Sequence, residues 1–370
     1  MTENVTGRRM RGLVVGLLLV ALAAGCAQLR ELITPSAPGV TGEWAELLNA
    51  IRAYERRIGF VDTDNFVDLS REHDAFPVCG YASRLTLPYS YQDPAITWLD
   101  SATEVQCLSH GPDVDVYFAT VEAWGEVATP ATTAMITGKL DRFIYLVIHE
   151  DCHDQFELPY GIEEALCDLI THKGMAVFTE EKYGSYARED RAIRRYAETQ
   201  SRLTRATITQ YEQLATIYAR HERNEISSDV LLRERAAFLK NAQKSLVWTK
   251  GELNNVSIAN HMTYSRHYPF LESVFDALGR DLARTVAFFR YVDKIKPSSA
   301  AIMQRHRIAG VKSVEYIRAY EAEVVETIRK ALADARQGIR SDVLPAQAGS
   351  LKMSALRPPR NGRAGSRRTS

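Results

Sequence analysis

The sequence lacks an excess of charge of one sign, and it lacks an apolar run long enough to cross a membrane comfortably. Its 46 Lys and Arg residues equal its 46 Asp and Glu residues in number, so nothing in the overall charge favours a nucleic-acid partner. Its N-terminal apolar run, Leu13 to Ala24, is too short to span a bilayer comfortably. The chain is long enough for one large domain or for two lobes around a cleft.

The N-terminal segment has the pattern of a lipoprotein signal. Arg8, Arg9 and Arg11 precede the apolar run, which ends in Leu-Ala-Ala-Gly followed by Cys26. Small residues directly before a cysteine resemble the lipobox of bacterial lipoproteins, which implies acylation of Cys26 and stable anchoring by more than one acyl chain. We therefore expect residues 1–25 to be a signal peptide. The protein would be exported and lipid-anchored at the periplasmic face of the envelope, in the outer membrane if there is one; an ordinary cleaved signal or a signal anchor is the alternative.

The middle of the chain carries two histidines and an acid directly after an apolar run. Residues 143–148 are Phe-Ile-Tyr-Leu-Val-Ile, and the pattern H-E-x-x-H follows from His149 to His153. On a helix, residues four apart share a face, so both imidazoles would point to one place. Burial of these polar side chains in a helix costs free energy, and binding of one Zn²⁺ ion would compensate for that cost. Glu150 follows His149 directly, so it lies beside the face that the two histidines share. It is predicted to be the general base rather than a ligand.

A catalytic zinc ion usually takes three protein ligands and leaves a position open. Residues 163–168, Glu-Glu-Ala-Leu-Cys-Asp, resemble the Asn-Glu-Ala-Ile-Ser-Asp run of thermolysin-like peptidases, in which the glutamate completes a His-His-Glu set. The resemblance implies that Glu164 is the third ligand and that Asp168 accepts the free ring N–H of His149. Glu163 takes the place of Asn in those enzymes and is a candidate for orienting the site.

Two alternatives to this ligand set stay open at this point. His172, two turns beyond Glu164, could be the third ligand in its place. The residues could also form a buried polar cluster without a metal. The zinc motif that ends in a third histidine is excluded, because Phe156 and Pro159 occupy the places of its Gly and His.

The cysteines after position 26 can form disulfides, because the export signal implies an oxidising compartment. Cys79 and Cys107 fall in one region of loops and short strands and are expected to form a bridge. Cys152 and Cys167 each lie three residues after a predicted ligand. We favour a packing role for these two, because a free buried cysteine behaves as a small hydrophobic residue. A bridge between the two ligand helices is the alternative.

The hydrophobic pattern predicts an α+β fold that is mostly helical. Residues 43–58 have apolar side chains at helical spacing. The segment that ends with residues 115–124 has instead the short, interrupted pattern of strands. Thr129 and Pro130 indicate the start of a helix, with Thr129 as its cap. The helical spacing of apolar residues from 175 to about 247 predicts a long helical hairpin.

The second half of the chain adds a more specific pattern, Leu253-Asn-Asn followed by Tyr264 and by a Tyr-Pro-Phe run at 268–270. Together with the Cys-containing strand region, H-E-x-x-H, the Glu-Ala-Leu helix and the long hairpin, it resembles the predicted bacterial aminopeptidases, which are exported zinc proteins that often carry a lipobox. The resemblance spans residues 77–292. It implies a zincin-like catalytic lobe with a small mixed sheet, a helical hairpin lobe and a peptide or protein substrate.

A peptidase of this kind also needs a hydrogen-bond donor for the oxyanion opposite the zinc. The stretch from residue 254 to 264 is expected to return to the metal, with Tyr264 as the first choice for this donor and His261 as the second. The strand before the zinc helix would pair with the substrate backbone. Glu122 and Glu126 at its end are candidates for the substrate's N-terminal amine; the alternative is that they are solvated charges.

These observations predict the organisation and the function of the whole chain. After the signal peptide we expect a tether at 26–42, a zinc peptidase-like domain at 43–335 and a disordered basic tail at 336–370. Within the domain, 43–175 would hold the sheet and the zinc helices and 176–335 the helical part. The predicted function is that of a membrane-anchored, aminopeptidase-like zinc metallopeptidase. A non-catalytic envelope lipoprotein and a zinc amidase for cell-wall peptides are the alternatives; an intact Glu150 argues against the former.

Overall fold

The computed structural model describes residues 40–70, 74–99, 102–123, 128–244, 246 and 252–336. The predicted signal peptide, acylation site at Cys26 and basic tail, and most of the tether, therefore lie outside the described residues, as do Trp124 and Glu126. The described part of the chain contains twelve helices and one three-stranded sheet. The predicted α+β, mostly helical fold is confirmed.

The elements follow one another in a simple order. The first half of the described chain contains α1 (Gly42–Arg57), β1 (Phe76–Ser83), β2 (Thr97–Leu99), α2 (Glu104–Leu108), β3 (Val114–Val121), α3 (Thr133–Thr137), α4 (Leu140–His153) and α5 (Tyr160–Tyr183). The second half contains α6 (Arg188–Glu222), α7 (Ser228–Ala242), α8 (Asn255–Ser265), α9 (Tyr268–Ala277), α10 (Leu282–Ile295), α11 (Ser299–His306) and α12 (Val314–Arg336). The predicted helical hairpin is confirmed as α6 and α7.

The sheet has the strand order β2-β1-β3, and both pairings are antiparallel. β3 is therefore an edge strand, which pairs with β1 from Val114 to Val121. A mixed sheet was predicted, but the only parallel pairing among the described residues is an isolated bridge between Leu69 and Ala131. An edge strand offers main-chain N–H and C=O groups to an extended partner chain.

Helices α4 and α5 lie in the centre of the main hydrophobic core. The side chains of α4 that precede the two histidines, from Phe143 to Ile148, are almost all fully buried. α5 is buried on nearly all sides, and α1, α9, α10 and α12 pack around the pair. The apolar burial of these helices fixes the backbone from which the predicted ligands project.

The start of α5 is in close contact with α12. A Cβ atom on Gly161 would collide with Oε1 of Glu321, so that a larger residue at this position would require the Glu321 side chain to shift. Oε2 of Glu321 accepts a hydrogen bond from the Tyr89 hydroxyl at 2.7 Å and lies 3.0 Å from Nε2 of His267. α12 therefore lies against the N-terminal end of α5, which is the end that carries Glu163 and Glu164.

The Leu-Asn-Asn run joins α8 to the sheet. Asn254 caps α8 by accepting a hydrogen bond from the N–H of Ser257 at 2.9 Å, and its side-chain amide donates to the carbonyl of Val116 in β3 at 2.7 Å. The N–H of Asn255 donates to Asp115 at 2.9 Å, and Arg235 of α7 pairs with the same carboxylate. The pattern is thus explained by its structural role, because it places the helix that carries Tyr264 beside β3.

Two disulfides are present in the described part of the chain. Cys79 and Cys107 join β1 to α2, with their Cα atoms 5.9 Å apart. Cys152 and Cys167 join α4 to α5, with their Cα atoms 5.6 Å apart. The sequence favoured a packing role for the second pair, and this expectation was wrong. The two helices lie side by side, so that thiols three residues beyond each ligand meet across the contact.

The predicted helix cap at Thr129 was also wrong. α3 begins at Thr133, and its N-cap is Thr132, whose hydroxyl accepts a hydrogen bond from the N–H of Met135 at 3.2 Å. Thr129 is buried instead, and its N–H donates to the side chain of Asn65 at 3.0 Å. None of the described helices is both long enough and apolar enough to be a membrane span.

The ion pair between Asp115 and Arg235 generates a prediction about stability. Both side chains are buried, so Asp115→Ala leaves the Arg235 charge without its partner and is expected to lower the free energy of unfolding by about 3–5 kcal/mol. Chemical denaturation followed by circular dichroism measures the loss. The control is Glu225→Ala, which removes an exposed pair with Arg223 and should leave stability unchanged. Equal stability of the two variants would contradict the assigned role.

The disulfide between α4 and α5 generates a second prediction. It closes a loop of 15 residues, and its removal by Cys152→Ala with Cys167→Ala is expected to lower the free energy of unfolding by about 3 kcal/mol. The matched comparison is Cys79→Ala with Cys107→Ala, which opens a loop of 28 residues. Free thiols at Cys152 and Cys167 in the oxidised, denatured wild-type protein would show that this bridge does not form.

Candidate metal centre

Three side chains converge where α4 ends and α5 begins. His149 and His153 lie one turn apart on α4, and Glu164 faces them from α5. Nε2 of His149 is 3.2 Å from Oε2 of Glu164 and 3.3 Å from Nε2 of His153. The third side of the triangle, from Nε2 of His153 to Oε2 of Glu164, is 3.4 Å. The structure therefore brings together the three residues that the sequence predicted as ligands.

This triangle has the dimensions of one face of a tetrahedral zinc site. Zn–N and Zn–O bonds of about 2.0–2.1 Å at tetrahedral angles place ligand atoms about 3.3–3.4 Å apart. Two imidazoles and one carboxylate are also the donor set of many open, catalytic zinc sites. These residues could thus hold a metal ion, and three protein ligands would leave a fourth position for water or substrate.

A carboxylate lies near the Nδ1 atom of each of the two histidines. Oε1 of Glu163 lies 3.0 Å from Nδ1 of His153, and Oε2 of Glu163 accepts a hydrogen bond from the N–H of Leu158 at 2.7 Å. Oδ1 of Asp168 lies 3.4 Å from Nδ1 of His149, which is an ion-pair distance without the alignment of a hydrogen bond. Carboxylates at Nδ1 favour the tautomer whose Nε2 is free to bind a metal.

The electrostatics of the site favour a cation at the centre of the triangle. Burial by itself would raise the pKa of Glu164, but His153 and His149 lower this pKa well below its usual value. Burial likewise disfavours a charge on His153, yet Glu164 and Glu163 raise the pKa of this histidine well above its usual value. The carboxylates thus attract positive charge to the place where the ligand atoms meet, and a proton and a metal ion would compete for it.

Glu150 lies beside the triangle and is not part of it. Its side chain is buried, and burial raises the pKa of its carboxyl group against the opposing effect of His149 and His153. Glu150 lines both of the cavities that adjoin the three ligands. This is the place that a general base needs, because the group must reach a water molecule at the open metal position.

Two cavities lie on either side of Glu150 and His149. Cavity A has a volume of about 300 Å³ and extends towards α6, where Arg142, Tyr145 and Tyr196 line it. Cavity B has a volume of about 510 Å³ and extends past His153 to Asp154 and Tyr160, among other residues. Both are lined by Tyr117 and Val121 of the edge strand β3, so the strand runs along the cleft that the cavities form.

Of the two candidates for the oxyanion donor, Tyr264 lines both cavities and His261 lines only one. The ring of Tyr264 is 6.3 Å from that of His149, and Tyr264 lines both cavities. Burial, together with Glu164 and Asp168, raises the pKa of the Tyr264 hydroxyl well above its usual value, so that it stays a donor. His261 lines cavity A only, and burial lowers its pKa to about 3.

Two further candidates from the sequence have other roles. His172 lies outside the group of ligands; its Nδ1 is 3.4 Å from the Tyr268 hydroxyl, and burial lowers its pKa to about 4. It is therefore not the third ligand. Glu122 accepts a hydrogen bond from Arg142 at 2.9 Å, so its carboxylate is paired within the protein rather than left for a substrate amine.

Tyr145 is a site residue that the sequence reasoning missed. Its hydroxyl donates a hydrogen bond to Oδ1 of Asp168 at 2.6 Å, and its ring stacks on that of His149 with the centroids 5.0 Å apart. The side chain thus holds both His149 and the carboxylate behind it. Its position four residues before His149, on the same helix face, was the signal that could have identified it.

Comparison with protein families agrees with this geometry. A family model described as "Putative aminopeptidase" matches residues 99–306, which is more than half of the chain. The chain belongs to this putative aminopeptidase family. Comparison with curated proteins and with solved structures gave no match. The matched region includes α4, α5 and α8, on which the candidate centre lies, and membership indicates a peptidase-like hydrolase that acts on peptides.

The contact between Glu163 and His153 generates a prediction about metal affinity in this aminopeptidase-family protein. Glu163→Ala is expected to weaken zinc binding about 10–100-fold, because His153 loses the carboxylate that orients it. His149→Ala removes a ligand and should abolish stoichiometric binding. Competition with a chromophoric chelator measures both effects.

The control for this experiment is Glu157→Ala. Glu157 is an exposed acid between α4 and α5 that contacts none of the ligands, so its loss should leave zinc affinity unchanged. If Glu163→Ala bound zinc as tightly as this control, Glu163 would have no orienting role.

Proposed function

We propose that the protein is a zinc-dependent, aminopeptidase-like peptidase that hydrolyses peptide bonds. The observation that carries the proposal is the triangle of His149, His153 and Glu164, with ligand atoms 3.2–3.4 Å apart, beside an acid that is not a ligand. A site that only binds a metal has no use for Glu150, whereas amide hydrolysis requires a general base next to the metal.

The residues in and around the triangle have different roles in the proposed hydrolysis. His149, His153 and Glu164 would hold zinc, which would supply Lewis acidity towards the scissile carbonyl and the attacking water. Glu150 accepts a proton from this water and passes it to the leaving amine. Tyr264 donates a hydrogen bond to the developing oxyanion from the opposite wall of the cleft. Asp168 and Glu163 keep the two imidazoles in the orientation that binding needs.

The cleft offers a way to hold an extended peptide across the site. The edge strand β3 lines both cavities through Tyr117 and Val121, and one side of it pairs with β1. Its other side can form main-chain hydrogen bonds with a substrate without selecting its sequence. Peptide side chains would then enter cavities A and B on either side of the scissile bond.

We also propose that the enzyme acts in the cell envelope. The basic n-region, the short apolar run and the Leu-Ala-Ala-Gly before Cys26 support export and acylation of that cysteine. The two disulfides agree with an oxidising compartment. Substrates would then be peptides or proteins that reach the membrane surface.

Replacement of the general base tests this function. Glu150→Gln keeps the size of the side chain and removes its basicity, so it is expected to retain zinc and to lower kcat about 10²–10⁴-fold on amino-acid amides and short peptides. Metal content and rates are measured on the same preparations. The matched control is Glu157→Gln, which should keep both properties of the wild type. Full activity of Glu150→Gln, or a zinc-loaded wild type that cleaves no peptide, would contradict the proposal.

A further inference from the structure

The charges that line the cleft are unevenly distributed between its two ends. Among the described residues, cavity B has four carboxylates in its wall and no Lys or Arg. Cavity A contains the one Lys or Arg side chain that lines either cavity, Arg142. Cavity A has two carboxylates in its wall, Glu150 and Asp168, beside Arg142. A cationic group of a substrate is therefore favoured more strongly in cavity B than in cavity A.

Three of the four carboxylates in cavity B already have a role. Glu164 is a metal ligand, Glu163 holds His153, and Glu150 is the general base. Asp154 is the fourth and has none of these roles. It is exposed, and no Lys or Arg forms an ion pair with it in the described part of the chain.

Asp154 is also an unfavourable residue for its place in the fold. It is the C-cap of α4, where the helix dipole puts partial negative charge and where a cation would be stabilising. A carboxylate at this position lowers the stability of the helix unless a positive group neutralises it. Sequences break such local rules mainly at functional sites.

The Asp154 carboxylate is nevertheless held in a fixed position. Its Oδ2 accepts a hydrogen bond from Nδ2 of Asn65 at 3.0 Å. Asn65 is fully buried, and its Oδ1 accepts from the N–H of Thr129 while its Nδ2 also donates to Asp151. The amide is thus oriented by its other partners, and Oδ1 of Asp154 accepts no hydrogen bond from the described residues. A fixed acceptor with an open oxygen is what recognition of an ammonium group requires.

We infer that Asp154 binds the N-terminal ammonium group of the substrate in cavity B and so restricts the enzyme to peptides with a free N-terminus. The chain would run from Asp154 past the metal ligands, with its leaving part towards Arg142 and cavity A. This inference rests on the proposed function. It replaces Glu122 as the candidate for the amine, because Glu122 is paired with Arg142.

A pair of hydroxamates tests the inference without relying on catalysis. Leucine hydroxamate and N-acetyl-leucine hydroxamate share the group that chelates zinc and differ in the charge of the amine. The zinc-loaded wild type is expected to bind the free amine at least about tenfold more tightly, the size of a hydrogen bond to a charged group. Asp154→Asn should lose most of this preference and keep its affinity for the acetylated compound. Calorimetric titration measures all four constants.

The control variant is Glu157→Gln, which removes an exposed carboxylate from the segment between α4 and α5 but not from either cavity. It should keep the preference of the wild type. Equal binding of both hydroxamates by the wild type would overturn the inference, as would an equal loss of affinity for both in Asp154→Asn. Failure of the zinc-loaded protein to cleave any peptide would instead overturn the proposed function, since the hydroxamate pair reports amine recognition in either case.

Discussion

The whole structure depends on the convergence of two imidazoles and a carboxylate at the contact between α4 and α5. Ligand atoms 3.2–3.4 Å apart in a buried place carry a large desolvation penalty, which a shared cation would offset. The rest of the fold keeps them there. Apolar side chains bury α4 and α5, a disulfide joins the two helices, and Glu321 of α12 lies against Gly161 where α5 begins. The candidate metal centre thus lies where the main core and the cleft meet.

The opposite wall of the cleft is fixed by a separate set of polar contacts. Asp115 in β3 binds both Arg235 of α7 and the N–H of Asn255, while Asn254 caps α8 and reaches back to β3. These contacts set the distance between the edge strand, Tyr264 and the ligands. They also join the helical hairpin to the candidate site, because α7 carries one partner of the ion pair. The candidate site therefore depends on elements far apart in the sequence.

The sequence predicted the residues of the candidate site better than it predicted the packing of the helices and loops around them. The period of a helix was enough to bring His149 and His153 together, because they lie on one helix. Glu164 lies on the next helix and came from the resemblance to thermolysin-like peptidases, not from local spacing. Tyr145 was missed although it has the same spacing, since an apolar run with a tyrosine is usually core. The second disulfide and the roles of Glu122 and Asp154 depend on which helices and loops lie side by side, and no local pattern encodes that. The domain boundaries and the acylation of Cys26 stay predictions.

The most direct measurement of the central claim is the position of the metal itself. Crystals of the zinc-loaded protein, measured on both sides of the zinc absorption edge, give an anomalous difference map that locates the ion independently of any assumption about ligands. We expect one peak about 2.0–2.1 Å from Nε2 of His149, Nε2 of His153 and a carboxylate oxygen of Glu164. A map with no peak between these three residues, or with the zinc bound by a different set of side chains, would contradict the account.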